Sequence, residues 1–197
     1  GAVLSEKPVT VTEEEVREAV GSFVGEQLQI PPMYSALKVN GKKLYELARE
    51  GKTIERKPRP VVFYEIRILD MELPLVRISV TCSKGTYIRA LARDLGHACD
   101  SAAHISALRR TASGVVSIGA CHAVEELSPE SAAGFALDPI AALGATRVDL
   151  PGNLADDLLC GRRIPVERAL ADFDSSKAPF ALVLDGGLKA LARIEGG

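Results

Sequence analysis

The sequence has 197 residues, of which 47% are hydrophobic and 25% are charged, and this composition excludes a disordered or fibrous chain. Its length corresponds to one domain, or to one domain with a small appendage. No stretch approaches the roughly 18 consecutive apolar residues of a membrane span. The four cysteines form no CxxC pair, which predicts free thiols in a reducing, cytoplasmic location.

The charge is unevenly distributed, although the formal net charge is only −2. Residues 32–60 carry eight Lys or Arg against three Glu, a balance of +5, and residues 83–110 carry +3, whereas the rest of the chain carries −10. All four tyrosines lie within residues 34–87. Aromatic rings among cations are typical of surfaces that bind unpaired bases and phosphates. The alternative is an ordinary solvated surface over core tyrosines.

The first predicted element is a helix. Thr12-x-x-Glu15 has the spacing of a capping box, the apolar residues after it recur at helical spacing, and Gly25 marks the predicted end. Pro31-Pro32 excludes a helix at that point. A short helix is predicted over about 42–50, with Gly51 just beyond its C-terminus.

Two strands and a helix are predicted next. Residues 61–69 are rich in β-branched and aromatic side chains, and residues 76–82 alternate between apolar and polar, so both predict strands. The turn over 83–86 leads into a helix with one apolar face. Tyr87 and Arg89 are therefore expected where the second strand passes into this helix, near its electropositive N-terminus.

The second half of the chain predicts shorter elements. Residues 105–111 and 115–118 are expected to be strands around a Ser-Gly turn. A helix is predicted over 153–161, capped by the asparagine at its start. Residues 180–184 and 188–194 predict a hairpin joined by an Asp-Gly-Gly turn.

Several kinds of catalytic site find no support in the sequence. Cys121 and His122 are adjacent, but the potential ligands lack the spacing of a zinc site. There is no G-x-S-x-G motif, and the Gly-Lys pairs lack the remainder of a phosphate-binding loop. No metal is therefore expected.

Five motifs occur in a fixed order. They are PPMYSALK at 31–38, LYELAREG at 44–51, RKPRP at 56–60, CSKGTYIR at 82–89 and LRRT at 108–111. In these motifs the chain resembles the bacterial TruB-type tRNA pseudouridine synthases, which isomerise the uridine in the T-loop of tRNA. The resemblance extends from about Val3 to Leu127.

The resemblance implies an α+β fold, a partial pseudouridine synthase catalytic core with a mixed sheet and flanking helices. This core would occupy residues 1–127, with a thumb loop over about 32–60 that closes on the T-arm of tRNA. Residues 128–145 would form a helical connection. Residues 146–197 would form a small, β-rich, PUA-like C-terminal domain, which at 52 residues is expected to be incomplete.

Three site residues follow from the resemblance. Tyr87 matches the tyrosine that packs against the flipped uracil, Arg89 matches the arginine that pairs with the nucleophilic aspartate, and Leu108 matches an apolar residue beside the base. A base that has left the stack needs aromatic and aliphatic walls, and a guanidinium keeps a buried carboxylate ionised. The alternatives are a core Tyr87, an Arg89 in an ordinary ion pair and a core Leu108. The RNA contacts are expected from Lys38, Lys42, Lys43, Arg49, Lys52, Arg56, Arg59, Arg109 and Arg110.

The sequence departs from the family in one respect. Members carry a Gly-x-Leu-Asp motif with the nucleophilic aspartate upstream of these motifs, and no residue of this chain corresponds to it. The segment around Asp138 resembles that motif, but its spacing and its order along the chain are wrong. A position at the N-terminus of a short helix is the simpler interpretation of Asp138.

The chain is therefore expected to be an inactive fragment of a tRNA pseudouridine synthase. The intact enzyme would need no cofactor, would act on tRNA as a monomer and would have no membrane partner. The alternative is a non-catalytic module that binds or folds tRNA.

Overall fold

The computed structural model describes residues 3, 6–39, 41–169 and 179–194. The chain divides into two compact units, Gly1–Leu108 and Arg109–Gly197. The three regions expected from the sequence, with a boundary at residue 127, remain a prediction, and parts of the predicted C-terminal domain lie outside the described residues. Within the described ranges, no helix is both long enough and apolar enough to cross a membrane.

The first unit contains a three-stranded antiparallel sheet with two helices packed on it. In chain order its elements are α1 (Glu13–Ser22), β1 (Gly25–Gln29), β2 (Lys38–Val39), β3 (Lys42–Lys43), α2 (Leu44–Arg49), β4 (Arg59–Glu72), β5 (Leu75–Cys82) and α3 (Ile88–Ala98). The sheet order is β1-β4-β5, and β2 and β3 form a separate ribbon. Val61, Phe63 and Leu91 form the centre of the core, so α3 packs on the inner face of β4.

Helix α1 begins at the predicted capping box. The Thr12 N–H donates to Glu15 Oε2 at 2.7 Å, and the Glu15 N–H donates to Thr12 Oγ1 at 3.3 Å. The predicted end at Gly25 is wrong, because the helix ends at Ser22. Gly25 instead begins β1 with a φ of 104°, a conformation that a residue without Cβ adopts readily.

The other predicted elements of this unit are confirmed. Helix α2 lies inside the predicted range, and Gly51 follows it with a φ of 73°, as expected of a residue just beyond a helix C-terminus. Strand β4 is longer than predicted at both ends, since its pairing with β1 begins at Arg59. Strand β5 begins one residue before the predicted range.

The second unit consists of short elements around a three-stranded mixed sheet. Its regular elements are β6 (Ala112–Ser113), β7 (Val116–Ser117), α4 (Ala132–Phe135), α5 (Pro139–Leu143), β8 (Thr146–Asp149), α6 (Ala155–Leu159), α7 (Val166–Ala169), β9 (Phe180–Leu184) and β10 (Gly187–Ala192). Strand β9 pairs in parallel with β8 and antiparallel with β10. Val148, Leu150, Leu154 and Phe180 form its core.

The predicted C-terminal hairpin is confirmed as β9 and β10. Asp185 and Gly186 form its two-residue turn with φ values of 51° and 74°. Two successive positive φ values define the turn type whose twist matches that of the flanking strands.

Two other sequence predictions for this half of the chain are wrong. Residues 105–111 form no strand, and the expected hairpin contains only the two-residue strands β6 and β7. The chain before residue 105 packs its backbone against α3, where a Cβ added to Gly96 would lie 2.5 Å from the Ala103 nitrogen. Asn153 caps no helix, because it lies inside a 3-10 turn over Gly152–Leu154 that precedes α6.

Candidate nucleic-acid interface

Tyr87 lies between β5 and α3, and the turn before it is anchored to the central strand. The Ser83 N–H donates to the Val62 carbonyl at 2.8 Å, and the Val62 N–H donates to Ser83 Oγ at 3.0 Å. The Tyr87 carbonyl accepts the N–H groups of Ala90 and Leu91 and so begins α3. The predicted position of Tyr87 at the start of this helix is confirmed.

Gln29 holds the backbone of Tyr87 from the end of β1. The Tyr87 N–H donates to Gln29 Oε1 at 2.9 Å, and Gln29 Nε2 donates to the Tyr87 carbonyl at 3.1 Å. The side chain is buried, with 4% of its surface exposed. The sequence does not single out Gln29, because no strand was predicted over residues 25–29 and the apolar Leu28, not Gln29, would be expected to face inwards.

Three arginines hold the chain that follows β1. Residues 30–34 have no regular structure, so their carbonyls need partners outside a helix or sheet. The bonds run from Arg93 Nη2 to the Ile30 carbonyl at 3.1 Å, from Arg56 Nη1 to the Pro31 carbonyl at 3.0 Å and from Arg89 Nη2 to the Tyr34 carbonyl at 2.7 Å. The bonds from Arg89 and Arg93 connect this stretch to α3, and the bond from Arg56 connects it to the end of the basic segment.

The three predicted substrate residues all belong to the first unit. Arg89 is exposed and donates to the Tyr34 carbonyl, and no carboxylate of the described residues lies within 4.0 Å of its guanidinium. Leu108 is 65% exposed in this structure. Tyr87 is half-buried.

Two cations of the basic segment flank one aromatic ring. Lys43 Nζ lies 5.5 Å from the centroid of the Tyr45 ring, and the Arg49 guanidinium carbon lies 5.2 Å from it. Cations at this distance are attracted to the face of an aromatic ring. The Tyr45 ring therefore interacts with one positive group from the end of β3 and one from α2.

Two further cations converge on one carboxylate. Lys52 Nζ lies 2.7 Å from Glu50 Oε2, and Lys42 Nζ lies 4.0 Å from Glu50 Oε1. The hydrogen bond from Lys52, followed by the charges of Lys42 and Lys52, lowers the pKa of Glu50 below its ordinary value. Glu50 stays ionised at neutral pH and offsets part of the positive charge of this surface.

The remaining predicted RNA contacts are exposed in both units. Lys38 lies on β2 and Arg59 at the start of β4, whereas Arg109 and Arg110 begin the second unit. Exposed cations of this kind are available to a polyanion.

Asp138 caps a helix. Its two carboxylate oxygens accept the N–H groups of Ile140 at 3.3 Å and Ala141 at 3.0 Å, at the start of α5. The simpler interpretation of this aspartate is therefore confirmed. In the part of the chain that the structure describes, no group of three His, Cys, Asp or Glu side chains could hold a metal ion.

A family comparison identifies the first part of the chain. Residues 1–88 match the family described as TruB family pseudouridylate synthase (N terminal domain). These residues belong to the TruB family. The resemblance predicted from the sequence motifs is thereby confirmed.

Relatives with known names match more of the chain than residues 1–88. The chain is 45% identical over 182 residues to tRNA pseudouridine synthase B of Ralstonia pickettii (strain 12J), which covers 88% of this chain and 57% of the relative. It is 54% identical over 114 residues to the protein of that name from Clostridium novyi (strain NT), which covers 58% of this chain and 39% of the relative. A third relative, from Burkholderia mallei (strain NCTC 10247), is 40% identical over 191 residues, 94% of this chain and 63% of the relative. The chain thus spans less than two thirds of these relatives.

Two solved structures share the fold. The structure described as a Cbf5-Nop10-Gar1 complex matches with a TM-score of 0.67 and 23% identity, covering 93% of this chain and 55% of that one. The structure of an H/ACA RNP bound to a substrate RNA containing 2′-deoxyuridine matches with a TM-score of 0.62 and 19% identity, covering 92% and 53%. The predicted α+β pseudouridine synthase fold is confirmed.

Proposed function

We propose that this chain is part of a tRNA pseudouridine synthase that isomerises the T-loop uridine of tRNA. The observation that carries the proposal is the 2.7 Å bond from Arg89 to the Tyr34 carbonyl. This bond joins the predicted uracil-binding element to the base of the most basic segment of the chain. The proposed phosphate-binding surface and the proposed base-binding surface would thus be adjacent in one unit, as a base-modifying enzyme requires.

The proposed reaction assigns one role to each predicted residue. The target uridine leaves the stack at a cost of about a few kcal/mol, and the Tyr87 ring and the Leu108 side chain provide walls for it. The carboxylate of an aspartate attacks C1′ of the ribose as the C1′–N1 glycosidic bond breaks, and the uracil leaves with the bonding electron pair. The uracil rotates and its C5 displaces the carboxylate from C1′, which regenerates the aspartate. C5 then loses its proton and N1 takes one up. Arg89 would keep that aspartate ionised, because a guanidinium stabilises a neighbouring carboxylate.

The basic segment over 32–60 is the proposed thumb for the T-arm. Two of its positive groups, Lys43 and Arg49, contact the Tyr45 ring, which would reduce the side-chain ordering that phosphate binding otherwise requires. Arg109 and Arg110 are proposed as further phosphate contacts. The expected partner is tRNA. We also propose that the protein is monomeric and cytoplasmic.

We propose further that this polypeptide alone does not turn over, because it contains no counterpart of the family aspartate. The test is pseudouridine formation on an unmodified tRNA transcript by the 197-residue chain, with an Asp138→Asn variant beside it. We expect no product from either protein and measurable binding of the tRNA by both. Product from the unaltered chain would contradict the fragment assignment, and its loss in Asp138→Asn would identify Asp138 as the nucleophile.

Binding without turnover is also the result expected of the alternative, a tRNA-binding module. A chimera separates the two, with the N-terminal segment of the Ralstonia pickettii relative joined to this chain. Pseudouridine formation by the chimera, abolished by Arg89→Ala, supports the synthase. A folded chimera that binds tRNA and forms no pseudouridine supports the module.

A further inference from the structure

Gln29 is a buried polar residue with an unusual pair of partners. The residue is 4% exposed at the end of β1, and burying an amide is unfavourable unless both its ends are hydrogen-bonded. Both ends are satisfied by the backbone of one residue, Tyr87, which lies 58 positions away in the sequence. The glutamine therefore acts on that residue specifically.

The two bonds constrain the direction of the Tyr87 side chain. The N–H and the carbonyl of Tyr87 belong to the two rigid peptide planes on either side of its Cα. Holding both planes restrains φ and ψ, which are −100° and 106°, and so sets the direction of the Cα–Cβ bond. The ring is left with its own two torsions.

We propose that Gln29 is a positioning residue that aims the Tyr87 ring at the substrate base. Gln29 lies on the strand that precedes the basic segment, and no motif of that segment predicts its role. Its consequence for RNA binding rests on the proposed function, whereas its effect on the Tyr87 ring does not. The two parts are therefore tested by separate measurements.

The first measurement uses a Gln29→Glu variant labelled with 3-fluorotyrosine. One oxygen of the ionised carboxylate still accepts the Tyr87 N–H, but the other faces the Tyr87 carbonyl and repels it. A protonated carboxyl regains an O–H donor, and burial raises the pKa of a carboxyl. Two positively charged groups lie near this position: Arg59 is opposite Gln29 in the sheet, and Arg93 donates to the Ile30 carbonyl.

The fluorine resonance of Tyr87 is assigned by its absence in Tyr87→Phe. In Gln29→Glu we expect this resonance to move towards its position in the unaltered protein as the pH falls from about 7 to about 5. The matched control is Gln27→Glu, on the same face of the same strand, whose amide donates to the Ser22 carbonyl at 3.1 Å instead. In this control, the Tyr87 resonance should shift with pH no more than it does in the unaltered protein. Equal titration in the two variants, or none in Gln29→Glu, would overturn the proposal.

The second measurement is a double-mutant cycle on the affinity for a synthetic tRNA T-arm hairpin. Gln29→Met removes both bonds to Tyr87, and we expect the affinity to fall about tenfold. In a Tyr87→Ala background the same change should cost nothing further, because the ring that Gln29 aims is gone. A purely structural role would produce the same loss in both backgrounds and would refute the positioning role.

The failures of the two proposals are distinguishable. If the unaltered chain does not bind the hairpin, the proposed function fails, and the fluorine titration still decides whether Gln29 sets the Tyr87 ring. If the chain binds the hairpin and the titration is absent, the positioning role fails and the proposed function stands.

Discussion

At the scale of single residues, the structure distinguishes two positively charged side chains that the sequence presents as equivalent. Arg56 and Lys57 are neighbours in one basic motif, yet Arg56 is half-buried with its guanidinium on the Pro31 carbonyl, and Lys57 is exposed. The alkyl stem and the donors of an arginine stabilise a folded chain when they are packed and bonded. Positive charge alone therefore does not identify an RNA contact.

We predict that Arg56→Ala lowers the free energy of unfolding by about 1–3 kcal/mol, because a buried carbonyl loses a charged donor. Lys57→Ala, the matched control, should change it by less than about 0.5 kcal/mol. Urea unfolding followed by tyrosine fluorescence measures both, since all four tyrosines lie in the first unit. Equal effects of the two substitutions would show that the Pro31 bond contributes nothing to stability.

At the scale of elements, local hydrogen bonds determine where α1 begins. The backbone bond from Thr12, followed by the side-chain bond from Thr12, lowers the pKa of Glu15 below its ordinary value. A carboxyl whose pKa is lowered in the folded state stabilises the folded state at pH values above the ordinary pKa of the group. This contribution to stability is lost as the pH falls through the lowered pKa. The cap is therefore a source of acid sensitivity.

We predict that Thr12→Ala destabilises the chain by about 1 kcal/mol through loss of the cap. We also predict that Glu15→Gln is less stable than the unaltered chain at neutral pH, and that the difference shrinks below about pH 4.5. Urea unfolding across this pH range tests both, with Glu14→Gln in the same helical turn as the control. A difference between Glu15→Gln and the unaltered chain that is independent of pH would contradict the prediction.

The turn between β9 and β10 is an element determined by backbone conformation. A Cβ at Gly186 would meet no atom within 4 Å, but its φ of 74° lies in the left-handed region. Gly187, the next residue, has no such φ, and a Cβ there would make ordinary contacts, the nearest 3.5 Å from Lys189 Nζ.

We therefore predict that Gly186→Ala lowers the free energy of unfolding by about 1–2 kcal/mol, because an L-residue is strained in this conformation. Gly187→Ala should be neutral to within about 0.5 kcal/mol. Unfolding followed by far-UV circular dichroism compares the two. Similar losses in both variants would mean that side-chain contacts, and not φ, determine which residue the turn accepts.

At the scale of the whole molecule, the distribution of charge matters more than its sum. A net charge of −2 would disfavour binding of a polyanion, but residues 32–60 carry +5 within one unit. A nucleic acid responds to the local surface, since charges farther apart than about 10 Å are screened at moderate salt.

We predict that tRNA affinity falls steeply with salt, and that Lys42→Ala with Lys43→Ala reduces the slope of log K against log [salt] by about one to two. The control, Arg67→Ala with Arg77→Ala, removes the same charge from β4 and β5 outside the basic segments and should leave the slope unchanged. A filter-binding titration at several salt concentrations measures the slopes. Equal reduction by both pairs would mean that net charge, and not the basic segment, governs binding.

The sequence by itself determined the features that depend on neighbours in the chain. The Thr12 cap, the Asp185-Gly186 turn and the short helix α2 involve residues a few positions apart, so their signals are readable as spacings. The motif order likewise identified the family, because the match extends along the chain.

Only the tertiary structure decided how the candidate site is held. Gln29 meets Tyr87 across 58 positions, and Arg89 meets the Tyr34 carbonyl across 55. A hydrogen bond from a side chain to a distant backbone group leaves no periodicity in the sequence. The partner is a peptide group, which every residue carries, so the residue type at that position does not reveal the bond. The backbone that precedes residues 105–111 is likewise placed by a distant contact, since Ala103 lies close to Gly96 of α3.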